Sequence, residues 1–154
     1  MAESRITFDE VRALTARELP WADDAGLCMK ALGYGTARVR LPFTDRNLRP
    51  GGTISGPAMI TLADYALYIG ALAAIGPEAL AVTSQLSMNF LRKPAPGDLL
   101  ADARMVRVGR RLIYGEVYVV PAAAAEAPDE PVAHLTGTLI RPTETGQGTM
   151  VPHS

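Results

Sequence analysis

Residues 51–77 read GGTISGPAMITLADYALYIGALAAIGP, and the segment Pro57–Ile75 within them is almost entirely apolar. Proline suits the first turn of a helix, because its missing N–H would have no intrahelical partner there. Gly76 and Pro77 then form a helix stop. The pattern predicts a helix over residues 57–75, about 28 Å long at a rise of 1.5 Å per residue. Since it is apolar on every side, such a helix must be covered on every side.

A helix of this length and composition could also cross a lipid bilayer. Asp64 lies near its middle, where a charge in lipid would cost roughly 2.5–3.5 kcal/mol. No cluster of lysine or arginine stands directly at its end to orient it in a membrane. We therefore predict that the helix is buried inside a protein domain and that the chain has no membrane partner.

The segments on both sides of this helix have strand patterns. Residues 36–43, TARVRLPF, alternate apolar and basic side chains, which is typical of a strand with one face in water. A strand over residues 27–34 precedes it, and four more follow the helix at residues 81–91, 99–108, 112–120 and 132–140. Consecutive strands with short links favour antiparallel pairing. We therefore predict an α+β hotdog fold, in which a curved antiparallel sheet of about six strands wraps around one long central helix.

Both ends of the chain have patterns of their own. Thr7 is a good helix N-cap, and apolar side chains repeat after it at helical spacing, which predicts a short N-terminal helix within residues 1–20. Residues 143–154 are polar and contain glycine, and they predict a flexible tail. The length of 154 residues suits one domain, which we place at residues 1–142. The polar, charged N-terminus lacks the apolar stretch of a signal peptide, which predicts a cytoplasmic protein.

Composition argues against several classes of function. The net charge of −1 gives no general attraction to nucleic acid, so we expect no nucleic-acid partner. Cys28 is the one cysteine, and His134 and His153 are far apart, so the sequence has no metal site at zinc spacing. It also has no glycine-rich nucleotide motif and no serine-nucleophile elbow.

Asp64 is the most informative residue for chemistry. Between Pro50 and Pro77 it is the only ionisable acid or base apart from two tyrosines. A carboxylate on a buried helix costs free energy unless it is hydrogen-bonded, paired or functional. Because no lysine, arginine or histidine lies within a turn of it, we favour a catalytic role. The alternative is that Asp64 ties down a loop or pairs across a subunit interface.

The start of the helix is the second candidate. Residues 51–57 lead backbone N–H groups into a helix N-terminus, which attracts negative charge, and Gly56 has no side chain to block close approach. Its N–H could stabilise an oxyanion. Asp64 lies about 12 Å further along the helix axis, so one chain would not bring both groups to one carbonyl. A dimer with two antiparallel helices could do so, whereas a plain turn and N-cap is the alternative.

Two further groups are candidates for substrate binding. Basic side chains flank the strand ends and could bind phosphates, or they could be ordinary solvated turns: Arg92, Lys93, Arg107, Arg110 and Arg111. Alternation along residues 81–91 puts four polar residues on one face, either in a pocket beside Asp64 or in water: Thr83, Gln85, Ser87 and Asn89.

Four segments together resemble one known family. They are Asn47 with GGTISGP after it, ADYA inside the helix, SMNFLRKPAPGD, and VGRRL. Over about residues 47–140 the chain resembles the PaaI-like (phenylacetate-degradation type) thioesterases of the hotdog superfamily. The resemblance implies hydrolysis of an acyl-CoA without a metal or organic cofactor. It also implies a homodimer with active sites at its interface, commonly paired again into a tetramer.

The resemblance also implies roles for individual residues. Asp64 would activate water or attack the thioester directly, and the Gly56 N–H would stabilise the oxyanion. Asn47 would lie near the reacting water or thioester, and Thr83 or Ser84 would assist. The family usually has His-Gly-Gly where this chain has Ser55-Gly56-Pro57. Ser55 could still hydrogen-bond in place of the histidine.

The leading hypothesis is hydrolysis of a medium-chain or aromatic acyl-CoA, with Asp64 as general base or nucleophile. Arg92, Arg110 and Arg111 would then bind coenzyme A. The missing histidine motivates an alternative, a non-catalytic acyl-CoA-binding module. A hotdog hydratase or dehydratase is less favoured, because its chemistry needs a histidine with a carboxylate and neither histidine lies near the helix in sequence.

Overall fold

A computed structural model of the chain describes residues 2–78, 80–124 and 130–142. One six-stranded antiparallel sheet wraps around one long helix, and two short helices precede it. This confirms the predicted α+β hotdog fold.

The elements in chain order are α1 (Phe8–Glu18), α2 (Pro20–Asp24), β1 (Cys28–Gly33), β2 (Thr36–Leu41), α3 (Gly56–Ile75), β3 (Val82–Phe90), β4 (Leu99–Val108), β5 (Leu112–Pro121) and β6 (Ala133–Ile140), with 3-10 turns at Asp45–Asn47 and Ala122–Ala124. The predicted tail at residues 143–154 lies outside the described residues.

Helix α3 is the predicted central helix and begins one residue early, at Gly56. The Ser55 side chain caps it by accepting a hydrogen bond from the Ala58 N–H at 3.2 Å, and Gly76, with φ of 93°, ends it. By length and apolar composition α3 could cross a membrane, but most of it is buried in the protein. Each fully buried leucine along it, such as Leu62 and Leu67, contributes about 1.5–3 kcal/mol.

Glycines in two neighbouring strands let α3 approach the sheet. A β-carbon at Gly137 would lie 2.6 Å from the Leu67 side chain, and one at Gly115 would lie 2.9 Å from it. Real side chains do not approach so closely, so a larger residue at either position would force the Leu67 side chain to move. The glycines in β5 and β6 therefore leave room for Leu67 of α3 against the sheet.

The strand order is β1-β2-β4-β5-β6-β3, so β3 is an edge strand whose one partner among the described residues is β6. Their ladder shifts register between Thr83 and Gln85, which leaves Ser84 as an extra residue. Thr83 lies opposite Leu139, which is fully buried, whereas Gln85 lies opposite the partly exposed Thr138. Because cross-strand partners share a face, the two residues lie on opposite faces of the sheet. The prediction that Thr83, Gln85, Ser87 and Asn89 share one face is therefore wrong, since the bulge resets the alternation.

The N-terminal segment is more helical than predicted. Pro20 does not end the helical region, because it starts a second short helix, α2, at a position where proline is tolerated. Both helices contact α3 through Tyr65. The Thr15 and Tyr65 hydroxyls are hydrogen-bonded at 2.7 Å in a buried position, and Trp21 meets the Tyr65 ring edge-on with centroids 6.0 Å apart.

Candidate active site

Asp64 lies in the third turn of α3 and is half-buried. The Thr83 hydroxyl donates a hydrogen bond to Asp64 Oδ1 at 3.3 Å. Burial raises the pKa of Asp64, and the hydrogen bond from Thr83 lowers it by less. Within the described residues no cation forms an ion pair with it. A carboxylate in this state is a stronger base than one at the protein surface.

The hydroxyl beside Asp64 is that of Thr83 and not that of Ser84. The register shift that turns Thr83 toward α3 leaves Ser84 exposed, with its hydroxyl donated to the Thr138 carbonyl at 3.2 Å. The sequence left these two residues as alternatives. The bulge that separates them has no signal in the sequence pattern.

Asp64 lines a cavity of about 300 Å³, which we call the Asp64 cavity. Three of its walls are aromatic, formed by Trp21, Tyr65 and Tyr68. Burial raises the pKa of both tyrosines, which therefore stay neutral phenols. The full lining is Glu18, Leu19, Trp21, Asp64, Tyr65, Tyr68, Ala81, Val82 and Thr83. Sequence reasoning missed the contribution of α1 and α2, for which a tryptophan in a polar segment was the available signal.

Gly56 lies in a second cavity of about 370 Å³, at the start of α3, which we call the Gly56 cavity. Its N–H belongs to the first turn and has no partner within the helix. A β-carbon at Gly56 would lie 3.5 Å from the Phe90 ring, an ordinary contact, so glycine is not needed there for packing within one chain. The full lining is Arg49, Thr53, Ile54, Gly56, Met59, Phe90, Leu91, Arg92, Lys93 and Pro94.

Asn47 and Ser55 have structural contacts and line neither cavity. The Asn47 amide donates to the Pro42 carbonyl at 3.1 Å and to the Thr44 hydroxyl at 3.3 Å. The backbone carbonyl of Asn47 accepts from the Ser55 N–H at 2.8 Å. Because the Ser55 hydroxyl is used as the cap of α3, both residues hold the loop that leads into the helix.

The predicted basic residues lie in two places. Arg92 and Lys93 follow the C-terminal end of β3 and line the Gly56 cavity, where Arg92 pairs with Glu130 at 3.1 Å. Arg110 and Arg111 are exposed in the β4–β5 turn. That turn adjoins the other end of β3, since Leu112 and Val82 both pair with Ile140. Within one chain the structure does not bring Arg92 together with Arg110 and Arg111.

The Asp64 and Gly56 cavities have no lining residue in common. The first adjoins the N-terminal end of β3, with Val82 and Thr83, and the second adjoins its C-terminal end, with Phe90. One chain therefore presents the carboxylate and the helix N-terminus at opposite ends of its edge strand, as the helical spacing predicts.

Comparisons with known proteins agree with this architecture. The family model described as "Thioesterase superfamily" matches residues 51–122. A solved structure of a "putative thioesterase" from Silicibacter is 39% identical, covers 92% of this chain and 95% of that chain, and superimposes with a TM-score of 0.79. A "putative esterase" of Halobacterium salinarum is 36% identical over 115 residues, which are 70% of this chain and 75% of the relative.

The chain belongs to the thioesterase superfamily. The phenylacetic acid degradation protein PaaI of Thermus thermophilus, solved as a mutant, is 29% identical, with coverage of 79% of this chain and 98% of that chain and a TM-score of 0.68. This similarity confirms the predicted resemblance to PaaI. Thioester hydrolysis is thus the activity that membership supports, and in the Asp64 cavity a half-buried carboxylate lies beside apolar and aromatic side chains.

Proposed function

We propose that this thioesterase hydrolyses a medium-chain or aromatic acyl-CoA to the free acid and coenzyme A, with Asp64 as general base or nucleophile. One observation carries the proposal. The Asp64 carboxylate has no cationic partner among the described residues, is hydrogen-bonded to the Thr83 hydroxyl and opens into an aromatic cavity. Burial, which raises its pKa, makes it a better proton acceptor while leaving room for a substrate beside it.

The chemistry takes one of two balanced routes. As general base, Asp64 accepts a proton from water while the water oxygen bonds to the thioester carbon. The tetrahedral intermediate then breaks its carbon–sulfur bond, and the departing thiolate takes the proton. As nucleophile, Asp64 attacks the thioester carbon, and the carbon–sulfur bond breaks to leave an acyl anhydride and coenzyme A thiolate. Water then hydrolyses the anhydride to the free acid and the Asp64 carboxylate, and the proton released from that water goes to the thiolate. Both routes return Asp64 to its starting state and use only the carboxylate, water and backbone N–H groups, so we propose that no metal or organic cofactor is needed.

The oxyanion donor in this proposal is the Gly56 N–H of the partner subunit. The side of β3 that faces away from β6 pairs with no strand in the part of the chain that the structure describes, and Val82 and Phe90 at its ends are exposed. If β3 pairs antiparallel with β3 of a second copy, the N-terminal end of one strand meets the C-terminal end of the other. The Asp64 cavity of one subunit would then meet the Gly56 cavity of the other.

The same pairing accounts for the separated basic residues. Arg110 and Arg111 adjoin one end of β3, and Arg92 follows the other. Antiparallel pairing would place Arg110 and Arg111 of one subunit beside Arg92 of the partner subunit, so that both subunits contribute cations to one coenzyme A. We propose a homodimer that pairs again into a tetramer, and a cytoplasmic location.

The acyl group is constrained by the Asp64 cavity. Its volume of about 300 Å³ is at the small end for ligand sites, and three of its walls are aromatic rings. Aromatic walls favour an aromatic acyl group, which can pack edge-to-face or offset against them. A compact aromatic or medium-chain acyl group fits this space better than a long chain.

A non-catalytic acyl-CoA-binding module is the second candidate. It is favoured by one observation, that Ser55 stands where the family has histidine and uses its hydroxyl to cap α3. A hydratase is disfavoured, because His134 lies on the outer face of the sheet, hydrogen-bonded to Glu116 at 3.0 Å. His153 lies outside the described residues.

The test is release of free thiol from a panel of short, medium, long and aromatic acyl-CoAs. We expect turnover by the wild type and a loss of about 10²–10⁴-fold in kcat for Asp64→Asn. Asp24→Asn is the matched control, because it removes an exposed aspartate on α2 that lines neither cavity. Equal activity of wild type and Asp64→Asn would reject the mechanism. Tight binding of acyl-CoA without turnover by the wild type would favour the binding module.

A further inference from the structure

The Asp64 cavity has a second carboxylate in its lining. Glu18, the last residue of α1, lines the same space of about 300 Å³ as Asp64. In the part of the chain that the structure describes, no lysine, arginine or histidine lines this cavity. A charged group inside it would therefore have two negative groups beside it and no positive one. Like charges repel more strongly there than in open water, because the effective dielectric constant near a protein is lower.

Glu18 is in an unfavourable place for the helix that carries it. The C-terminal end of a helix is the negative end of its dipole, so a cation there stabilises the helix and an anion does not. Arg17 supplies a cation in the last turn and pairs with Glu18 at 3.2 Å. Both side chains are exposed, so the pair contributes little, and Arg17 does not line the cavity. Because this carboxylate does little for α1, its position at the cavity indicates a role there.

The negative charge of Glu18 acts on the walls of the cavity. Burial is the main cause of the raised pKa of Tyr68, and the charge of Glu18 adds to it. Burial is also the main cause of the raised pKa of Tyr65, and Asp23 in α2 adds to that, although Asp23 does not line the cavity. The N-terminal helices thus make the cavity electronegative as well as aromatic.

We propose that the Asp64 cavity takes only uncharged acyl groups and that Glu18 is the specificity-determining residue, which excludes acyl groups that carry a second carboxylate. The inference rests on the proposed function, because it names the class of acyl group that the proposed hydrolysis accepts. A dicarboxylic acyl-CoA would place its free carboxylate in a space lined by Glu18 and Asp64, with no cation to bind it. Discrimination thus comes from repulsion of the wrong substrate and not from additional contacts with the right one.

The test compares two acyl-CoAs of equal chain length, hexanoyl-CoA and adipoyl-CoA, which ends in a free carboxylate. We expect the wild type to prefer hexanoyl-CoA in kcat/KM by about 100-fold or more, since burying an unpaired carboxylate is costly. Glu18→Gln keeps the size of the side chain without its charge and should reduce that ratio about 5- to 10-fold. Asp9→Asn is the matched control and should keep the wild-type ratio. Asp9 is an exposed carboxylate on the same helix, is also paired with an arginine and lines neither cavity.

Salt separates repulsion from a change in the shape of the cavity. Glu18 is exposed, so dissolved ions screen its charge. The preference of the wild type for hexanoyl-CoA should therefore shrink as the salt concentration rises, and the preference of Glu18→Gln should change less. The coenzyme A part is common to both substrates, so its own salt dependence cancels in the ratio. A ratio that is the same in wild type and Glu18→Gln, or equal turnover of both substrates by the wild type, would overturn the proposal.

Binding can be measured without turnover, because Trp21 lines the cavity and is the one tryptophan in the sequence. Its fluorescence should report binding of benzamide at concentrations about fivefold or more below those needed for benzoate, which has the same size and one negative charge. Glu18→Gln should narrow this difference. Equal affinity of the wild type for the two ligands, or binding of neither, would overturn the proposal. If no acyl-CoA is hydrolysed but benzamide binds in preference to benzoate, the proposed function fails while the charge preference of the cavity stands.

Discussion

The Thr83 hydroxyl lies 3.3 Å from Asp64 Oδ1 and donates a hydrogen bond to it across the space between β3 and α3. Thr83 is in this position because the ladder between β3 and β6 shifts register immediately after it. Burial and this hydrogen bond act in opposite directions on the pKa of Asp64: burial raises the pKa, and the hydrogen bond lowers it. Thr83 is thus a positioning residue for a carboxylate whose charge state controls the proposed reaction.

Thr83→Val should move the acidic limb of the pH profile of kcat/KM to higher pH. Asp64 acts in its ionised form, so activity falls as the pH drops through its pKa. Without the hydrogen bond that lowers this pKa, burial alone acts and the pKa rises further. A purely structural role would lower activity at every pH without moving the limb. Thr83→Ser keeps the hydroxyl and should keep the limb of the wild type.

Asp64→Asn should raise the unfolding midpoint at pH 7. The folded state raises the pKa of Asp64, so it holds this proton more tightly than the unfolded chain does. Ionisation therefore costs stability above the folded-state pKa and costs nothing below the unfolded-state value. Thermal melts from pH 7 downward should show the difference between wild type and variant shrink as the carboxyl protonates. A difference that stays constant over that range would contradict this account.

Gly56→Ala should fold normally and hydrolyse poorly. A β-carbon at Gly56 meets the Phe90 ring at 3.5 Å, so the variant should keep its unfolding midpoint. The added methyl group narrows the approach to the backbone N–H, and we expect kcat to fall about 10–100-fold. Ala58→Gly makes the reverse change two residues further into α3 and should keep kcat within about threefold. Full activity of Gly56→Ala would exclude the oxyanion role.

Mixed dimers should recover activity that neither parent has. If each active site combines Asp64 of one subunit with Gly56 of the partner subunit, a heterodimer of Asp64→Asn and Gly56→Ala has one intact site and one doubly altered site. Refolding the two variants together in equal amounts should give about a quarter of wild-type activity, because half of the dimers are mixed. Mixtures that stay at the level of the parents would place both groups in one subunit.

Trp21→Ala should change which acyl groups are hydrolysed. Trp21 closes one wall of the Asp64 cavity and is 42% exposed, so its loss opens the cavity toward solvent. We expect kcat/KM for an aromatic acyl-CoA to fall about 10–100-fold and longer acyl chains to be accepted relatively better. Phe8→Ala is the control, because Phe8 is an exposed aromatic residue on α1 that lines neither cavity.

The sequence was sufficient for the features that depend on long, regular patterns. The apolar run of α3 predicts its burial, and the lone Asp64 within it stands out for that reason. The bulge at Ser84 could not be predicted, because it depends on how β3 pairs with β6 and alternation alone continues through it. The helix α2 has only five residues and is held by the contact of Trp21 with Tyr65, which is tertiary.

The glycines of β5 and β6 affect more than the packing of Leu67. Leu67 lies one turn after Asp64 on the same rigid helix, so the surface on which Leu67 rests also fixes how far the carboxylate stands from Thr83. A side chain at Gly115 or Gly137 would force the Leu67 side chain to move, and we expect α3 to shift with it and that hydrogen bond to lengthen, although neither glycine lines the Asp64 cavity. We therefore expect the position of the Asp64 carboxylate to depend partly on two places in the sheet where the chain has no side chain. The proposed chemistry should then be sensitive to substitutions that a map of the cavity walls would not include.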